Sequence, residues 1–443
     1  MTAPAKSPRL ALHWKILIGL ALGIAVGLVV KHFHARLWAA APEGSTLASV
    51  YSFAEQLTRL IGQLFTRSLQ FIAVPIILFA LIHAIGSLGD FKKLGRLGGK
   101  TVGLFFITAF IAVAIGLTLV NLIQPGGSRF ISNEARTAII EKIPGEIERA
   151  NQLAGTAKST NPWHLIRDII PTNPFDALSR GDMLQVVFLA FMVGLALNVV
   201  PPIRSRPILE LAESITEVFT TIVRWIIRCA PVGVFCLIAP IVATLGFDII
   251  LSLGAYCVTI LLGLAMIQLL VYPSVVRLFS PIPVGRFFRG IAQVQMVAFS
   301  SSSSAATLPV TIANVRDKLG VPPDITSFVC ALGVKINMDG TAMMQGVATV
   351  FLAQFYSIDL SLTQQATIVL TAVVAAIGSP GIPSGGMVML VIVLSTYGIP
   401  AQGIAMILAV DRVLDMCRTI VNVTGDAAVA VAVAGSEKQL MKV

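Results

Sequence analysis

Gly378-Ser-Pro-Gly-Ile-Pro-Ser-Gly-Gly386 stands in the middle of an apolar stretch that otherwise runs from Ala366 to Tyr397. Two prolines and four glycines within nine residues break any helix there. A second apolar stretch, from Ile291 to Ile312, is interrupted by Ser300-Ser-Ser-Ser-Ser304 and Ala-Ala-Thr-Leu-Pro309. Non-helical backbone at membrane depth is tolerated only where protein buries it or water reaches it. Each interrupted stretch therefore reads as a re-entrant hairpin lining a polar cavity. Each is followed by a polar helix, and the pattern occurs twice from opposite faces. That is the mark of an inverted repeat around a midplane site.

Composition places this pair in a membrane. Of 443 residues, 56% are apolar and 12% charged, with a mean hydropathy of +0.86. A soluble domain carries about 25% charged residues. Intrinsic disorder is excluded, because it requires low hydrophobicity and dense charge. The net charge of +10 does not indicate nucleic-acid binding, because the basic residues lie between apolar blocks. The five cysteines have neither metal-ligand nor disulfide spacing.

A spanning helix needs about 20 apolar residues. Candidates are 14–30, 60–85, 101–123, 183–200, 219–245, 249–278, 323–355 and 404–434. The first lacks a small-residue cleavage site and reads as a span, not a signal peptide. Lys6, Arg9 and Lys15, then Lys92, Lys93, Arg96 and Lys100, then Arg204 and Arg206, then Arg277, Arg286 and Arg289 share one side if the amino terminus is cytoplasmic. Arg316 and Lys318 join them only if the serine segment enters and leaves from inside. Lys438 and Lys442 join only if the Gly/Pro segment does the same from outside. The fold expected is thus an all-α integral membrane protein with eight transmembrane helices plus two re-entrant helical hairpins. Residues 128–165 form a long polar outer connection.

The last span carries Asp411-Arg-Val-Leu-Asp415-Met-Cys-Arg418-Thr419-Ile-Val-Asn422-Val-Thr-Gly-Asp426. Asp411, Asp415, Arg418, Asn422 and Asp426 fall within an arc of roughly 80°. Such a stripe must face a wet cavity or partners; it reads either as an internal salt-bridge ladder, Asp415 and Arg418 neutralising each other, or as a functional site, since three carboxylates against one in-stripe arginine call for a cation. Asn337-Met-Asp-Gly-Thr341 interrupts the seventh span and exposes carbonyls suited to a hard monovalent cation. The five histidines are far from the serine tract in sequence, which argues against a Ser–His hydrolase. Hydroxyls and free N–H groups opposite Arg418 suit a carboxylate ligand.

With Gly-Ile-Pro-Ser-Gly-Gly, Pro171-Thr-Asn-Pro174 and Ala230-Pro-Val-Gly-Val-Phe235, these segments resemble the dicarboxylate/amino acid:cation symporters, which include glutamate transporters and archaeal aspartate transporters. The resemblance implies that Arg418 and Thr341 hold the substrate side-chain carboxylate. Asp415 and Thr419 would receive the ammonium, and Asn422 with the hairpin serines Ser302, Ser303 and Ser304 the main carboxylate. The second hairpin, from Ser379 through Ile382 to Gly386, would be the outer gate. Sodium sites map to Thr108, Gly333, Asn337, Asp339, Asn422 and Asp426, with Asp411 in charge balance. No cofactor beyond sodium as a coupling ion is implied. The partners implied are an acidic small molecule, a coupling cation, lipid and two further copies in a homotrimer, with no nucleic acid. The location implied is the bacterial inner membrane, both termini cytoplasmic.

The domain division that follows assigns 1–100 to a scaffold (spans 1–2) and 101–123 to a transport region. Residues 124–245 (outer loop, spans 4–5) return to the scaffold, and 246–443 complete the transport region. The latter holds span 6, a first hairpin at about 286–314, span 7, a second hairpin at about 363–398, and span 8. Arg418 with Asp415 points to an acidic amino acid carried by elevator-type symport with sodium, protons or both. C4-dicarboxylates, neutral amino acids and passive anion conduction remain alternatives.

Departures from the family pattern bear on coupling. A family arginine beside the site is replaced by Ser302 and Met416 at its two usual places, and Phe105, Ala109 and Ala376 stand where oxygen-bearing residues support sodium. Lys335 lies about 18 Å into the seventh span. Its ammonium reads either as a tethered stand-in for a sodium ion, neutralising Asp339 or Asp426, or as a lysine reaching a water-filled crevice without a transport role.

Overall fold

The computed structural model describes residues 12–33, 46–86, 91–131, 170–180, 183–245, 248–377, 379 and 385–441. Lys6, Arg9, Lys442, most of the 128–165 connection and hairpin residues 380–384, Ile382 among them, lie outside these. Among the described residues every regular element is a helix. Hydrocarbon imposes this, because each backbone N–H must find its acceptor within its own segment.

The first helices are α1 (Leu12–Phe33), α2 (Thr46–Gly86), α3 (Phe91–Ile123), α4 (Pro174–Arg180), α5 (Met183–Val199), α6 (Pro202–Arg228) and α7 (Ala230–Leu245). α1 lies along α7, and α2 packs on α5, α6 and α7. Gly19, Gly23 and Gly27 form one stripe of α1, where an added Cβ would strike the Pro231 carbonyl, Phe235 O (3.3 Å) and Val242 Cβ (2.6 Å). Small residues at this spacing let two helices touch backbone to backbone where water supplies no driving force. α4 starts at the Pro171–Pro174 motif: Asn173 Oδ1 accepts from Phe175 N (2.9 Å), and Pro174 takes the first helical position.

Among the described residues, 60–85 and 183–200, expected as spans, contain only the shorter apolar helical stretches Val74–His83 and Phe188–Val199, and another expected span is bent. Residues 219–245 are not one straight helix: α6 and α7 meet at a 56° bend around Cys229. Pro231 supplies the reason, lacking an N–H and crowding the preceding turn.

The second half comprises α8 (Asp248–Met266), a π-helical turn at Ile267–Val271, α9 (Tyr272–Phe279), α10 (Val284–Ser301), α11 (Ser304–Leu319), α12 (Pro323–Ile336), α13 (Asp339–Phe355), α14 (Leu362–Ile377), α15 (Gly385–Thr396) and α16 (Ile404–Ser436). α10 and α11 form a helical pair over the first expected hairpin and extend it to Leu319. α14 and α15 form another over the second. α13 is buried at every residue but Gln354 and packs on α3, α14 and α16. Among the described residues, Trp14–Phe33, Arg96–Ile123, Asp248–Phe279 and Val410–Ser436 are long and apolar enough to cross a membrane, with α6–α7 a fifth if the bent pair counts as one. This is an integral membrane protein of helices.

One end of the bundle is tied by charge. Glu437 accepts from Lys100 Nζ (2.5 Å) and from Arg96 Nε and Nη2 (3.0 and 2.6 Å), joining α3 to the end of α16. Those bonds hold the Glu437 carboxyl below its ordinary value. Nearby in sequence, Met441 N donates to Gly320 O (2.8 Å) at the left-handed cap of α11.

Candidate functional site

The polar stripe of α16 is buried as a unit: Asp411, Asp415, Arg418, Asn422 and Asp426 are each at most 8% exposed. Around it the backbone is broken twice. α12 ends at Asn337, whose ψ of 82° leaves the helical range, and α13 restarts at Asp339. α10 ends at Ser302, which holds a left-handed conformation (φ 50°, ψ 36°) uncommon for a side chain-bearing residue. Ser303 then caps α11 by accepting from Ala306 N (3.2 Å). The tip thus leaves the Ser302 hydroxyl buried with no hydrogen-bond partner among the described residues.

Arg418 is the centre of the first half of the site. Its Nη2 donates to Asp411 Oδ1 and Asp415 Oδ1, both at 2.8 Å. Its Nε and Nη1 are buried without a partner, and Nη1 lies 3.9 Å from where a Cβ on Gly386 would sit. Unpaired guanidinium donors at 1% exposure are expensive unless an acceptor arrives. A carboxylate arriving on the Gly386 side could accept from Nη1 in a charge-assisted hydrogen bond. The same Gly386 position is 2.8 Å from Thr341 Cγ2, and Gly386 O accepts from Gln345 Nε2 (3.3 Å), so the second hairpin meets α13 here. Thr419 Oγ1 bonds back to Asp415 O (2.8 Å).

The second half lies deeper along the stripe. Asn337 Nδ2 donates to Asp426 Oδ1 and to Asn422 O, both at 2.8 Å. Tyr272 Oη donates to Asp339 Oδ2 (3.0 Å), while the Thr108 hydroxyl, on the neighbouring α3, donates to Phe105 O (3.1 Å). Asp339 Oδ1 and Asn337 Oδ1 have no partner among the described residues. Gly333 packs against Asp426, leaving no room for a side chain. Among the described residues, neither Asp339 nor Asp426 forms an ion pair. Two buried carboxylates without a basic partner persist only with protons or a shared cation. Oxygens from Asp339, Asp426, Asn337 and Thr108 suit a hard monovalent ion.

Asn422 joins the halves. Its Oδ1 accepts from Gly340 N (2.9 Å) and its Nδ2 donates to Thr341 Oγ1 (3.3 Å), while its carbonyl serves Asn337.

The structure corrects one expectation. Lys335 pairs with neither Asp339 nor Asp426: it is exposed, two residues from Gly333 and so about 200° around α12 from the face that meets Asp426. The acid whose field reaches it is Glu213 of α6. Its place in the last turn of α12 complements the helix C-terminal partial charge instead.

Two contributors were not anticipated. Tyr272 is aimed at Asp339 from the residue directly after the π-helical turn, a device that redirects side chains and recurs at functional sites. Its only sequence signal is a hydroxyl in an apolar run. Arg412, one-fifth exposed, puts Nη1 3.9 Å from Asp415 Oδ2.

The profile of the sodium:dicarboxylate symporter family matches residues 12–436. A proton/glutamate-aspartate symporter of Escherichia coli is 33% identical over 97% of this chain and 93% of that protein. A proton/sodium-glutamate symport protein of Bacillus caldotenax is 32% identical over 97% of this chain and 96% of its own length. A C4-dicarboxylate transport protein of Bacillus subtilis is 29% identical over 86% of this chain and 87% of its own.

Proposed function

Because this chain belongs to the sodium:dicarboxylate symporter family, we propose that it imports an acidic amino acid, L-glutamate or L-aspartate, with sodium, protons or both. It is a symporter and not an enzyme. The observation that carries the substrate class is Arg418, whose Nε and Nη1 are buried without acceptors beside two carboxylates. A substrate carboxylate would take the Nη1 donor that faces Gly386, helped by Thr341, with Asp415 and Thr419 at the ammonium. Asn422 and the tip serines Ser302, Ser303 and Ser304 would hold the second carboxylate.

Coupling follows from charge. A cation in the cradle of Thr108, Gly333, Asn337, Asp339, Asn422 and Asp426 would offset the anion brought in. Asn422, bonded to both halves, would transmit its presence to Thr341. The gate is the second hairpin, held at Gly386 by Gln345. Cations drive uptake only if they bind the closed and open forms with different affinity.

In this reading eight spans and two hairpins form inverted repeats. Helices α1, α2 and α5 to α7 act as scaffold, and α3 with α8 to α16 moves as an elevator within a homotrimer. The packing of α1 on α7 and of α2 on α5 and α6 supports that division. The contacts of Arg96 and Lys100 with Glu437, and of Met441 with Gly320, gather basic segments at one end. This supports a cytoplasmic carboxyl terminus in the inner membrane. A C4-dicarboxylate is the second reading, favoured by the Asp415 carboxylate being faced by two guanidiniums already.

Uptake of labelled L-aspartate, L-glutamate and succinate into proteoliposomes, under a sodium gradient or a proton gradient alone, tests both readings. Uphill uptake of an amino acid supports the first, and of succinate alone the second. Movement only down its gradient would refute symport.

A further inference from the structure

Asp415 is contacted from two sides. Its Oδ1 accepts from Arg418 Nη2 at 2.8 Å, and its Oδ2 faces Arg412 Nη1 at 3.9 Å. Arg412 sits about 60° around the helix from Asp415, at the edge of the stripe. The two contacts differ in kind. Arg418 is 1% exposed and locked by hydrogen bonds, whereas the Arg412 side chain is 20% exposed and stands beyond hydrogen-bond length. Arg412 is therefore held by charge alone and has a path outward.

Charge counting gives this contact a consequence. Asp411 and Asp415 against Arg412 and Arg418 make the substrate half of the site neutral. An amino-acid ammonium needs an anionic oxygen; Arg418 leaves Oδ2 of both acids, and Asp415, 11% exposed against 1% for Asp411, offers the accessible one. Arg412 must leave Oδ2 for the ammonium to bind there. A dicarboxylate brings no ammonium, so Arg412 can stay and balance its second negative charge.

We propose that Arg412 is a displaceable counter-ion of Asp415 that sets the preference between ammonium-bearing substrates and dicarboxylates. The proposal rests on the acidic-substrate reading above. Arg412 is a positioning residue: it acts through Asp415 and opposes the substrate ammonium by like charge.

Equilibrium binding of L-aspartate and succinate to the purified protein, at fixed pH and saturating sodium, tests this with Arg412→Gln and Arg412→Lys. Removing one charge a few ångströms from a partly wet site changes affinity by about tenfold. The aspartate-to-succinate affinity ratio should thus rise about tenfold or more in Arg412→Gln and stay within about twofold of wild type in Arg412→Lys. An arginine that merely braces the helix would weaken both ligands alike and leave the ratio unchanged, overturning the proposal. An equal change in the lysine variant would also overturn it. Arg412→Met, which keeps the aliphatic stem, carries the test if the glutamine variant does not fold. Failure of both neutral variants to fold overturns the proposal, because a displaceable counter-ion must be removable. Wild-type protein that binds neither ligand would instead refute the underlying function.

Discussion

Replacing Gly333 by alanine inserts one methyl group between α12 and the deepest carboxylate of the stripe. The new Cβ would overlap Asp426 Oδ1, sit 2.7 Å from Asp426 Cγ and 3.1 Å from Phe105 Cζ. Asp426 has nowhere to retreat without losing the 2.8 Å bond from Asn337 Nδ2, since it is 1% exposed. Overpacking of this kind costs about 1–3 kcal/mol, and a hydrogen bond to a charged group is worth about 1.5–3 kcal/mol. If about 3 kcal/mol falls on the cation-bound form, the half-saturating cation concentration rises about a hundredfold. Arg418 lies eight residues earlier on α16, about 12 Å away along the axis. Substrate affinity at saturating cation should therefore stay near wild type. The assay is initial L-aspartate uptake against sodium concentration, with Tm measured in parallel. A lowered Tm with neither the half-saturating sodium concentration nor the pH dependence of uptake changed would refute the placement of the cation beside Asp426. If protons are the coupling ion, the shift appears in the pH dependence of uptake and not in sodium.

Three other perturbations test separate parts of the reasoning. Arg418→Met leaves Asp411 and Asp415 buried together without their guanidinium, and such truncations cost about 2–5 kcal/mol. Equilibrium binding of L-aspartate should weaken by at least about thirtyfold, and retained affinity would remove Arg418 from the site. Lys335→Thr should leave the half-saturating sodium concentration within about twofold, because an exposed lysine contributes little to a cradle it does not touch; a large rise in sodium dependence would restore it as a built-in cation. Glu437 is held below its ordinary pKa by Lys100 and Arg96, so its contribution is present above that value and fades as pH falls through the lowered one. Tm should consequently fall more steeply on acidification in wild type than in Glu437→Gln, and parallel curves would show that the clamp adds nothing.

Much of the fold was legible because a bilayer leaves the chain few choices. Apolar length and backbone satisfaction make helices wherever the sequence is continuous, and Gly378–Gly386 and Ser300–Pro309 mark discontinuities by residue type alone. The bend at Cys229 was less visible. Pro207 and Pro240 lie inside α6 and α7 without dividing them, whereas Pro231 follows a break. A proline in an apolar run signals lost bonding but not whether neighbouring helices bend the axis there.

The site was legible where one helix sets the geometry. Spacing along α16 places Asp411, Asp415, Arg418, Asn422 and Asp426 on one face, and all five are buried there. It failed where the outcome depends on which face a second helix presents. Lys335 and Gly333 are two residues apart, and depth in the membrane, all that counting residues along the span provides, is nearly the same for both. Azimuth separates them, because α16 lies against the Gly333 side of α12 and the lysine is left outside. Arg412 is the complementary case. A stripe drawn at 80° leaves it out, yet a long side chain crosses about 60° of helix surface and reaches Asp415. Counting charge by the reach of each side chain, instead of by the position of its Cα, turns an apparent excess of acid at the substrate end into balance. The uncompensated carboxylates are then Asp339 and Asp426, so the demand for a cation falls on the deep cradle and not on Arg418.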